Sequence, residues 1–208
     1  MKLTDLTITE FMDKMGSSSP TPGGGSAAAL QGAQGAALGS MVCALTLGKK
    51  KYADVQELAA EKKQKLDGLK EQFLDMIQQD IDAFNGVAAV FAMPKETQEE
   101  KLQRRQAMQK ALKSCTIPPY ETMELCLVTL EEIDFLMGKT YTGAVSDLGV
   151  AALSLKAAVQ SAWLNVLINI GGIEDEAFAC EHRKKGEAIL ARAVPLADSI
   201  YEQTCKSL

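Results

Sequence analysis

The chain has 208 residues, of which 47% are hydrophobic and 24% charged, a balance typical of a soluble globular protein, so we predict a single domain over residues 1–208. Its net charge of -5 argues against nucleic acid as the main partner. Five cysteines without a Cys-x-x-Cys pair, and a single histidine, offer no metal site and indicate reduced thiols, so we expect no bound metal and a cytoplasmic location.

The first predicted element is a short helix over residues 7–15. Thr7 and Glu10 have the spacing of a capping box, in which each side chain bonds the backbone N–H of the other residue. The glycine-rich segment that follows is therefore preceded by a helix. A dinucleotide fingerprint or a P-loop needs a preceding strand, and no Gly-Lys-Ser or Gly-Lys-Thr follows the glycines, so a standard nucleotide site is excluded.

The next feature is the segment Pro20-Thr21-Pro22-Gly23-Gly24-Gly25-Ser26, which leads into a helix without a charged residue up to Leu47. Successive glycines allow close approaches that a Cβ would block, and Ser26 is a suitable N-cap. The free N–H groups of such a helix start favour a carboxylate, a phosphate or another electron-rich group. A loop that only lets a slim helix pack closely explains the glycines equally well, so the pattern leaves both interpretations open.

The remaining segments also carry the start and stop signals of helices, and none shows sustained alternation of apolar and polar residues. Aromatic residues make up only 5% of the chain, which favours closely packed helices over a β-sandwich. We predict an all-α, multihelical bundle of about seven helices, some of them interrupted. After Leu47 and a basic connection, the predicted helices span residues 55–93, 97–115, 119–138, 147–170 and 174–208, with a break at Ile117-Pro118-Pro119 and a kink at Pro195.

Two predicted helices, residues 26–47 and 147–170, are poor in charge on every face. Helices of this kind belong at the centre of a bundle, with the charged helices outside. Two of them in a chain of this size also favour a subunit interface, so we expect a homodimer. The length of helix 26–47 raises the question of a membrane span, but its glutamines and glycines make a buried helix the better interpretation, and we predict no membrane contact.

A few polar residues in these helices are candidates for chemistry. Asp147 stands at a helix start, where a carboxylate is stabilised by the dipole and where capping alone would account for it. Asn165 and Asn169 share a helix face, and such amides either tie helices together or bind a ligand. Asp80 lies where the long helix turns apolar and could act as acid or base, although solvated aspartates are the commoner case. His182 has charged neighbours and is expected to be exposed, which leaves no Ser-His-Asp or Cys-His set.

Several separated motifs resemble those of one family and occur in the family's order. They are Pro20 to Ala29, Leu45 to Tyr52, Ala83-Phe84 with Pro94-Lys95, Ser146 to Ala152, and Leu164-Asn165-Val166 with Ile168-Asn169. Over nearly its whole length the chain resembles the cyclodeaminase and cyclohydrolase family. This family comprises the cyclodeaminase half of formiminotransferase-cyclodeaminase and the stand-alone bacterial methenyltetrahydrofolate cyclohydrolases.

The resemblance implies a multihelical homodimer that binds a reduced folate, including polyglutamylated forms, and that needs no cofactor beyond the tetrahydrofolate substrate. It implies either closure of a 5-formimino group to the 5,10-methenyl bridge with loss of ammonia, or opening of that bridge with water. Both reactions pass through a cationic amidinium-like centre and a tetrahedral intermediate, so they require a carboxylate and a proton donor. The alternative is a non-catalytic helical protein that binds folate or serves as a scaffold.

The match to the family motifs also implies roles for individual residues. Asp147 is the first choice for the catalytic carboxylate and Asp80 the second, with Asn165 as an orienting amide and Asn169 beside it. The loop residues are expected to hold a polar or anionic part of the folate; they are Thr21, Gly23, Gly24, Gly25 and Ser26.

The basic connection after the uncharged helix has an implied role of its own. Lys50 and Lys51, together with Tyr52, are expected to meet the glutamate tail, whose negative charge the acidic protein would otherwise repel. The loop over residues 140–145 departs from the asparagine-rich pattern of the family, which weakens the expectation of substrate contact there.

Overall fold

A computed structural model describes residues 3–208, and within them the chain forms six α-helices and no β-strand, which confirms the all-α prediction. Short 3-10 helices at Leu3–Asp5, Lys50–Val55 and Thr142–Ala144 lie between or before them. The α-helices are α1 (Ile8–Met15), α2 (Gly24–Thr46), α3 (Gln56–Phe91), α4 (Gln98–Leu136), α5 (Val145–Ile170) and α6 (Glu176–Ser207).

The predicted capping box at Thr7 and Glu10 is present, and a second one opens α4 at Thr97 and Glu100. The Thr7 hydroxyl accepts a hydrogen bond from the Glu10 N–H, and the Glu10 carboxylate accepts one from the Thr7 N–H. Thr97 and Glu100 make the same pair of bonds at the start of α4. These caps satisfy backbone donors that a helix start would otherwise leave free, which explains why the sequence signal located both starts.

Helices α2 to α6 run alternately up and down. The start of α2 and the first half of α4 meet the later parts of α3 and α5 at one end of the bundle. The end of α4, the start of α5 and the end of α6 meet at the other. Helix α2 packs against α3, α4 and α5, and α5 packs against α2, α4 and α6. The predicted central position fits α2, whereas α5 keeps one apolar face exposed, with Leu164 and Ile168 on it.

The expected break at Ile117-Pro118-Pro119 is wrong, and this is why residues 3–208 form six α-helices rather than the seven predicted. Helix α4 continues through both prolines. Pro119 has no N–H to donate to the Cys115 carbonyl four residues earlier. The side-chain amide of Asn169 on α5 donates to that carbonyl instead, at 2.8 Å, so the missing bond is replaced from another helix. Helix α6 likewise continues across Pro195.

The glycine stripe of α2 meets a different helix at each position. A Cβ on Gly32 would overlap the ring of Phe73 on α3, and one on Gly39 would overlap Ile133 on α4. At Gly35 the added carbon would lie 2.6 Å from Leu155 on α5. The missing side chains therefore let three neighbouring helices reach the α2 backbone, which is the packing interpretation of these glycines.

The expectation that His182 is exposed is wrong, because its side chain is buried. Its ring stacks on Phe178 with centroids 4.0 Å apart and meets the edge of Tyr120. Phe178 is one helical turn earlier and its carbonyl lies 2.9 Å from His182 Nδ1. Successive residues of a helix are rotated by about 100° around its axis. The charged residues next to His182 in sequence therefore lie on other faces of α6 and do not indicate whether His182 is exposed.

Replacing Gly32 by alanine is expected to lower the free energy of unfolding by roughly 1–3 kcal/mol, because the new methyl group must displace Phe73 or α2 itself. Urea unfolding followed by circular dichroism measures the change. Gly68→Ala on α3 is the matched control, since a Cβ there meets nothing within 4 Å, and we expect it to stabilise by roughly 0.5–1 kcal/mol. Equal effects of the two substitutions would contradict the close approach at Gly32.

Candidate active site

A cleft of about 420 Å³ opens at the end of the bundle where α2 begins. The loop before α2 forms one side, with Thr21 and Gly23 at its edge. The other sides come from the second half of α3, the first half of α4 and the end of α5. The polar side chains of Asp80 and Asn165 lie beside the α2 N-terminus, and apolar side chains form most of the remaining wall.

Asp80 on α3 rests directly on the start of α2. A Cβ on Gly25 would overlap the Asp80 carboxylate, so only glycine leaves room for it. The space at Gly24 is less restricted: a Cβ there would make a tight contact with the side-chain amide of Asn165, at 3.2 Å, but would not overlap it. The glycines of the loop therefore make space for polar side chains of the cleft, whereas the glycines farther along α2 make space for the core.

Helix α2 begins earlier than predicted. Gly24 is its first residue and Gly23 its cap, so the expected N-cap role of Ser26 is wrong. Because Ser26 lies inside the first turn, its hydroxyl is free to donate to Asp80 Oδ2, at 2.9 Å. The Ser26 backbone N–H also bonds this carboxylate. Asp80 thus occupies the anion position at the positive end of the helix.

The environment of Asp80 has two opposing effects on its protonation. Burial disfavours the charged form and raises the pKa of Asp80 above its ordinary value, while the bonds from Ser26 oppose this increase. Burial is the larger effect, so the net shift is upward. A raised pKa makes this carboxylate a better proton acceptor than an ordinary aspartate and a group that can return the proton, which is what acid–base catalysis requires.

Two asparagines of α5 line the cleft together with Cys115 of α4. Asn165 donates its amide N–H to the Ser161 carbonyl at 2.9 Å, and Asn169 donates to the Cys115 carbonyl. Each amide is thereby fixed by a backbone bond. Burial and the charge of Asp80 raise the pKa of the Cys115 thiol to about 11, so this cysteine is a neutral wall residue rather than a nucleophile.

The apolar wall contains residues that the sequence reasoning missed. On α3 these are Phe84, Val87 and Phe91, and they are joined by Leu112 and Ile168 from the neighbouring helices. The signal was present, since residues 80, 84, 87 and 91 follow the spacing of one helix face. Starting from Asp80 and stepping by three or four would have found the α3 members.

The structure divides the predicted site residues into two groups. The cleft brings together Thr21, Gly23, Gly24, Gly25, Asp80, Asn165 and Asn169, with Ser26 bonded to Asp80 beneath. Lys50, Lys51 and Tyr52 follow the far end of α2, about 34 Å away along a helix of 23 residues. Asp147 lies in the first turn of α5, about 27 Å from Asn165 along that helix. One chain alone does not bring the second group to the cleft.

The distant group has contacts of its own. Tyr52 and Thr142 bond each other, with the Thr142 N–H donating to the Tyr52 hydroxyl at 3.0 Å, and these bonds lower the pKa of Tyr52. Lys49 lies over the ring of Tyr141 with its ammonium 4.1 Å from the centroid. The catalytic role of Asp147 and the binding roles of Lys50, Lys51 and Tyr52 stay predictions.

Comparisons with known proteins agree on one family. The model of the formiminotransferase-cyclodeaminase family matches residues 7–188. A methenyltetrahydrofolate cyclohydrolase of Methylorubrum extorquens is 44% identical over 201 residues, covering 97% of this chain and 96% of that protein. A formimidoyltransferase-cyclodeaminase of Sus scrofa is 32% identical over 94% of this chain but only 36% of its own length. The solved structure of a formiminotetrahydrofolate cyclodeaminase from Thermotoga maritima superimposes with a TM-score of 0.81 at 28% identity, covering 99% and 97% of the two chains.

Replacing Asp80 by asparagine is expected to leave the protein folded and, at neutral pH, at least as stable as the wild type. The raised pKa means that the charged carboxylate costs stability at pH values above its folded-state pKa. The neutral amide removes this cost and still accepts a bond from Ser26. The gain in stability of Asp80→Asn over the wild type is therefore expected above the folded-state pKa of Asp80. It should vanish as the pH falls from that pKa to the ordinary pKa of an aspartate.

Urea unfolding of both proteins between about pH 4 and pH 8 measures this difference. Asp82→Asn, at an exposed position on the same helix, controls for the loss of one negative charge. If Asp80→Asn is less stable than the wild type at neutral pH and this deficit shrinks as the pH falls, then the Ser26 bonds outweigh burial and the interpretation of Asp80 is wrong.

Proposed function

Because this chain belongs to the formiminotransferase-cyclodeaminase family, we propose that its cleft binds a reduced folate with the one-carbon unit beside Asp80. The protein is an enzyme of folate one-carbon metabolism, a methenyltetrahydrofolate cyclohydrolase or a formiminotetrahydrofolate cyclodeaminase. The observation that carries the proposal for the site is the meeting of Asp80, the glycine loop and two asparagines at one end of an otherwise apolar cleft.

The charge of the substrate fits this position. A methenyl bridge between two nitrogens is a cation, and the Asp80 carboxylate is the one acidic side chain that lines the cleft among the described residues. Because the carboxylate already takes the anion position of the α2 N-terminus, the cleft offers a negative partner to the reacting centre. The surrounding apolar wall lowers the local dielectric constant and strengthens that attraction.

In the cyclohydrolase reaction, the oxygen of a water molecule bonds to the bridging carbon while Asp80 accepts a proton from that water. One of the two C–N bonds then breaks, and a formyl group stays on the other nitrogen. One water proton ends on the leaving nitrogen and the other is released. In the cyclodeaminase reaction, the nitrogen that links the pteridine side chain to the aminobenzoyl ring bonds to the formimino carbon, and its proton passes to the formimino nitrogen. The protonated Asp80 gives that nitrogen a second proton, the bond between it and the carbon breaks, and ammonia leaves as the methenyl cation forms.

The remaining cleft residues orient the folate in this proposal. Asn165 and Asn169 are fixed through their amide N–H groups, so their carbonyl oxygens are available as acceptors for polar edges of the pteridine. Phe84 and Phe91 supply aromatic surface for the flat parts of the ligand. We propose that no cofactor beyond the folate takes part and that the enzyme acts in the cytoplasm, in line with its five free cysteines.

The purified protein is expected to turn over 5-formiminotetrahydrofolate, 5,10-methenyltetrahydrofolate, or both, as followed by the methenyl chromophore. Asp80→Asn is expected to lower kcat/KM by roughly 100-fold or more, because a positioned acid or base contributes at least that much. Asp82→Asn is the matched control on the same helix and is expected to retain activity.

Two other outcomes would change the proposal. Turnover of neither substrate, with tight binding of tetrahydrofolate, would support the non-catalytic folate-binding alternative. A loss in Asp147→Asn as large as that in Asp80→Asn would move the catalytic carboxylate to Asp147 and would require a site completed by a second chain.

We further propose that two chains pair through the exposed face of α5. This face carries no charged residue between Val150 and Ile168 at its exposed positions, and Leu164 and Ile168 are 65% and 76% exposed. Only 39% of the most apolar stretch of Thr142–Ile170 is buried within one chain, although it has the length and composition of a membrane span. A second copy of the chain would cover this face.

The direction of pairing bears on the distant group of predicted site residues. Two α5 helices that pair in opposite directions would set the Asp147 end of one chain beside the cleft end of the other. Such an arrangement would give Asp147, Lys50 and Lys51 a route to a folate that a single chain does not provide.

In solution the wild type is expected to have about twice the mass of one 22.3 kDa chain by sedimentation equilibrium. Leu153→Glu combined with Leu164→Glu is expected to give monomers, since buried carboxylates on an apolar interface are strongly disfavoured. Val128→Glu on the outer face of α4 is the control and should remain dimeric. A monomeric wild type, or a double variant that stays dimeric, would contradict this interface.

A further inference from the structure

A second cavity lies next to the cleft, between the end of α3 and the start of α4. Its volume is about 250 Å³. Four of its six lining residues are basic; the six are Lys95, Lys101, Arg104, Arg105, Met108 and Gln109. We call it the basic cavity. A concentration of cations in one concave place is unexpected in a chain whose net charge is -5.

The basic cavity continues the cleft along the same helix face. Leu112 in the cleft wall is one helical turn after Met108 in the basic cavity, so both lie on one side of α4. Phe91, the last residue of α3, lines the cleft, and Lys95, four residues later in the loop to α4, lines the basic cavity. Leu112 and Arg104 are separated by about 12 Å along the axis of α4. The basic cavity is thus the next surface that a long ligand meets after the apolar wall.

Three of the four cations have no acidic partner. Arg105 is paired with Glu174, its Nε donating at 2.6 Å, so its charge is largely matched. Lys95, Lys101 and Arg104 make no ion pair with any carboxylate in residues 3–208. Arg104 donates through Nε to the Val90 carbonyl at 3.1 Å, which fixes its guanidinium at the end of α3.

The acidic residues of the α4 start are engaged in other bonds. Glu100 accepts bonds from the backbone N–H groups of Glu96 and Thr97 as part of the helix cap. Glu99 accepts a bond from Gln103 on the same helix. These side chains are held by local contacts, so an anionic ligand remains the natural partner for the three cations.

A reduced folate has its parts in a fixed linear order: the pteridine with the one-carbon unit, the aminobenzoyl ring, and a glutamate tail with free carboxylates. With the one-carbon unit at Asp80 and the aminobenzoyl ring against Phe91 and Leu112, the tail leaves the cleft toward Lys95 and Arg104. Resting on the proposed function, we propose that the basic cavity binds the carboxylates of the glutamate tail. Each further glutamate adds a carboxylate that can reach Lys101.

The test compares three forms of the 5,10-methenyl substrate: the pteroate without glutamate, the monoglutamate and the triglutamate. In Lys95→Gln/Lys101→Gln, KM for the triglutamate is expected to rise roughly tenfold, a change that corresponds to one lost charge-assisted contact. The rise should be smaller for the monoglutamate and absent for the pteroate. The value of kcat should not change, and added salt should weaken the effect in the wild type.

Arg104→Gln is a second variant with the same expected order of substrates, and circular dichroism checks that it folds. Arg183→Gln/Lys184→Gln removes one arginine and one lysine from an exposed part of α6 and is the control for a general change in charge. Equal KM values for all three substrates in the cavity variants, or the same rise in the α6 control, would overturn the proposal.

Two further results separate this inference from the proposed function. If the wild type neither turns over nor binds any of the three substrates, the proposed function fails. If the wild type is active and the tail-dependent rise in KM occurs in Lys50→Gln/Lys51→Gln instead, the tail is bound by the residues that the sequence resemblance indicated, and the basic cavity is excluded.

Discussion

The distance at which other helices approach the backbone of α2 determines both the core and the cleft. Along this helix, missing Cβ atoms admit Phe73 from α3, Leu155 from α5 and Ile133 from α4. At its start, the missing Cβ of Gly25 admits the carboxylate of Asp80. The same physical device therefore serves packing in one part of the helix and chemistry in another. Because these contacts share one rigid helix, the position of Asp80 is set by the packing of the whole bundle.

The position of Asp80 also shows how a site can work against folding. Burial makes its charged form costly, and the two bonds from Ser26 and the positive end of α2 offset only part of that cost. A core residue chosen for stability alone would be apolar here, as its neighbours Phe84 and Val87 are. An unfavourable group that is held in place by a dedicated glycine and serine points to selection for function.

The sequence allowed much of the fold to be predicted, because helix caps and apolar spacing are local signals. The boundaries of α1 and α3 and the central place of α2 follow from such signals. The continuity of α4 was beyond them, since the Cys115 carbonyl is satisfied by Asn169, a partner 54 residues away in the sequence. Family motifs pointed to residues at both ends of the bundle, but motifs carry no distances. The separation of Asp147 and Lys50 from Asp80 became evident only from the helix lengths.

The bond between Asn169 and the Cys115 carbonyl has a consequence for how these sequences change over time. Pro119 leaves the Cys115 carbonyl without its helical donor, and the Asn169 amide supplies the replacement bond, so the structural role of Asn169 depends on the proline. In a chain with a different residue at position 119, the N–H of that residue can donate to the carbonyl of residue 115. The side chain at position 169 is then no longer needed for this bond. Among aligned relatives the two positions should therefore covary, and lineages without the proline are where position 169 is free to acquire a new side chain facing the ligand.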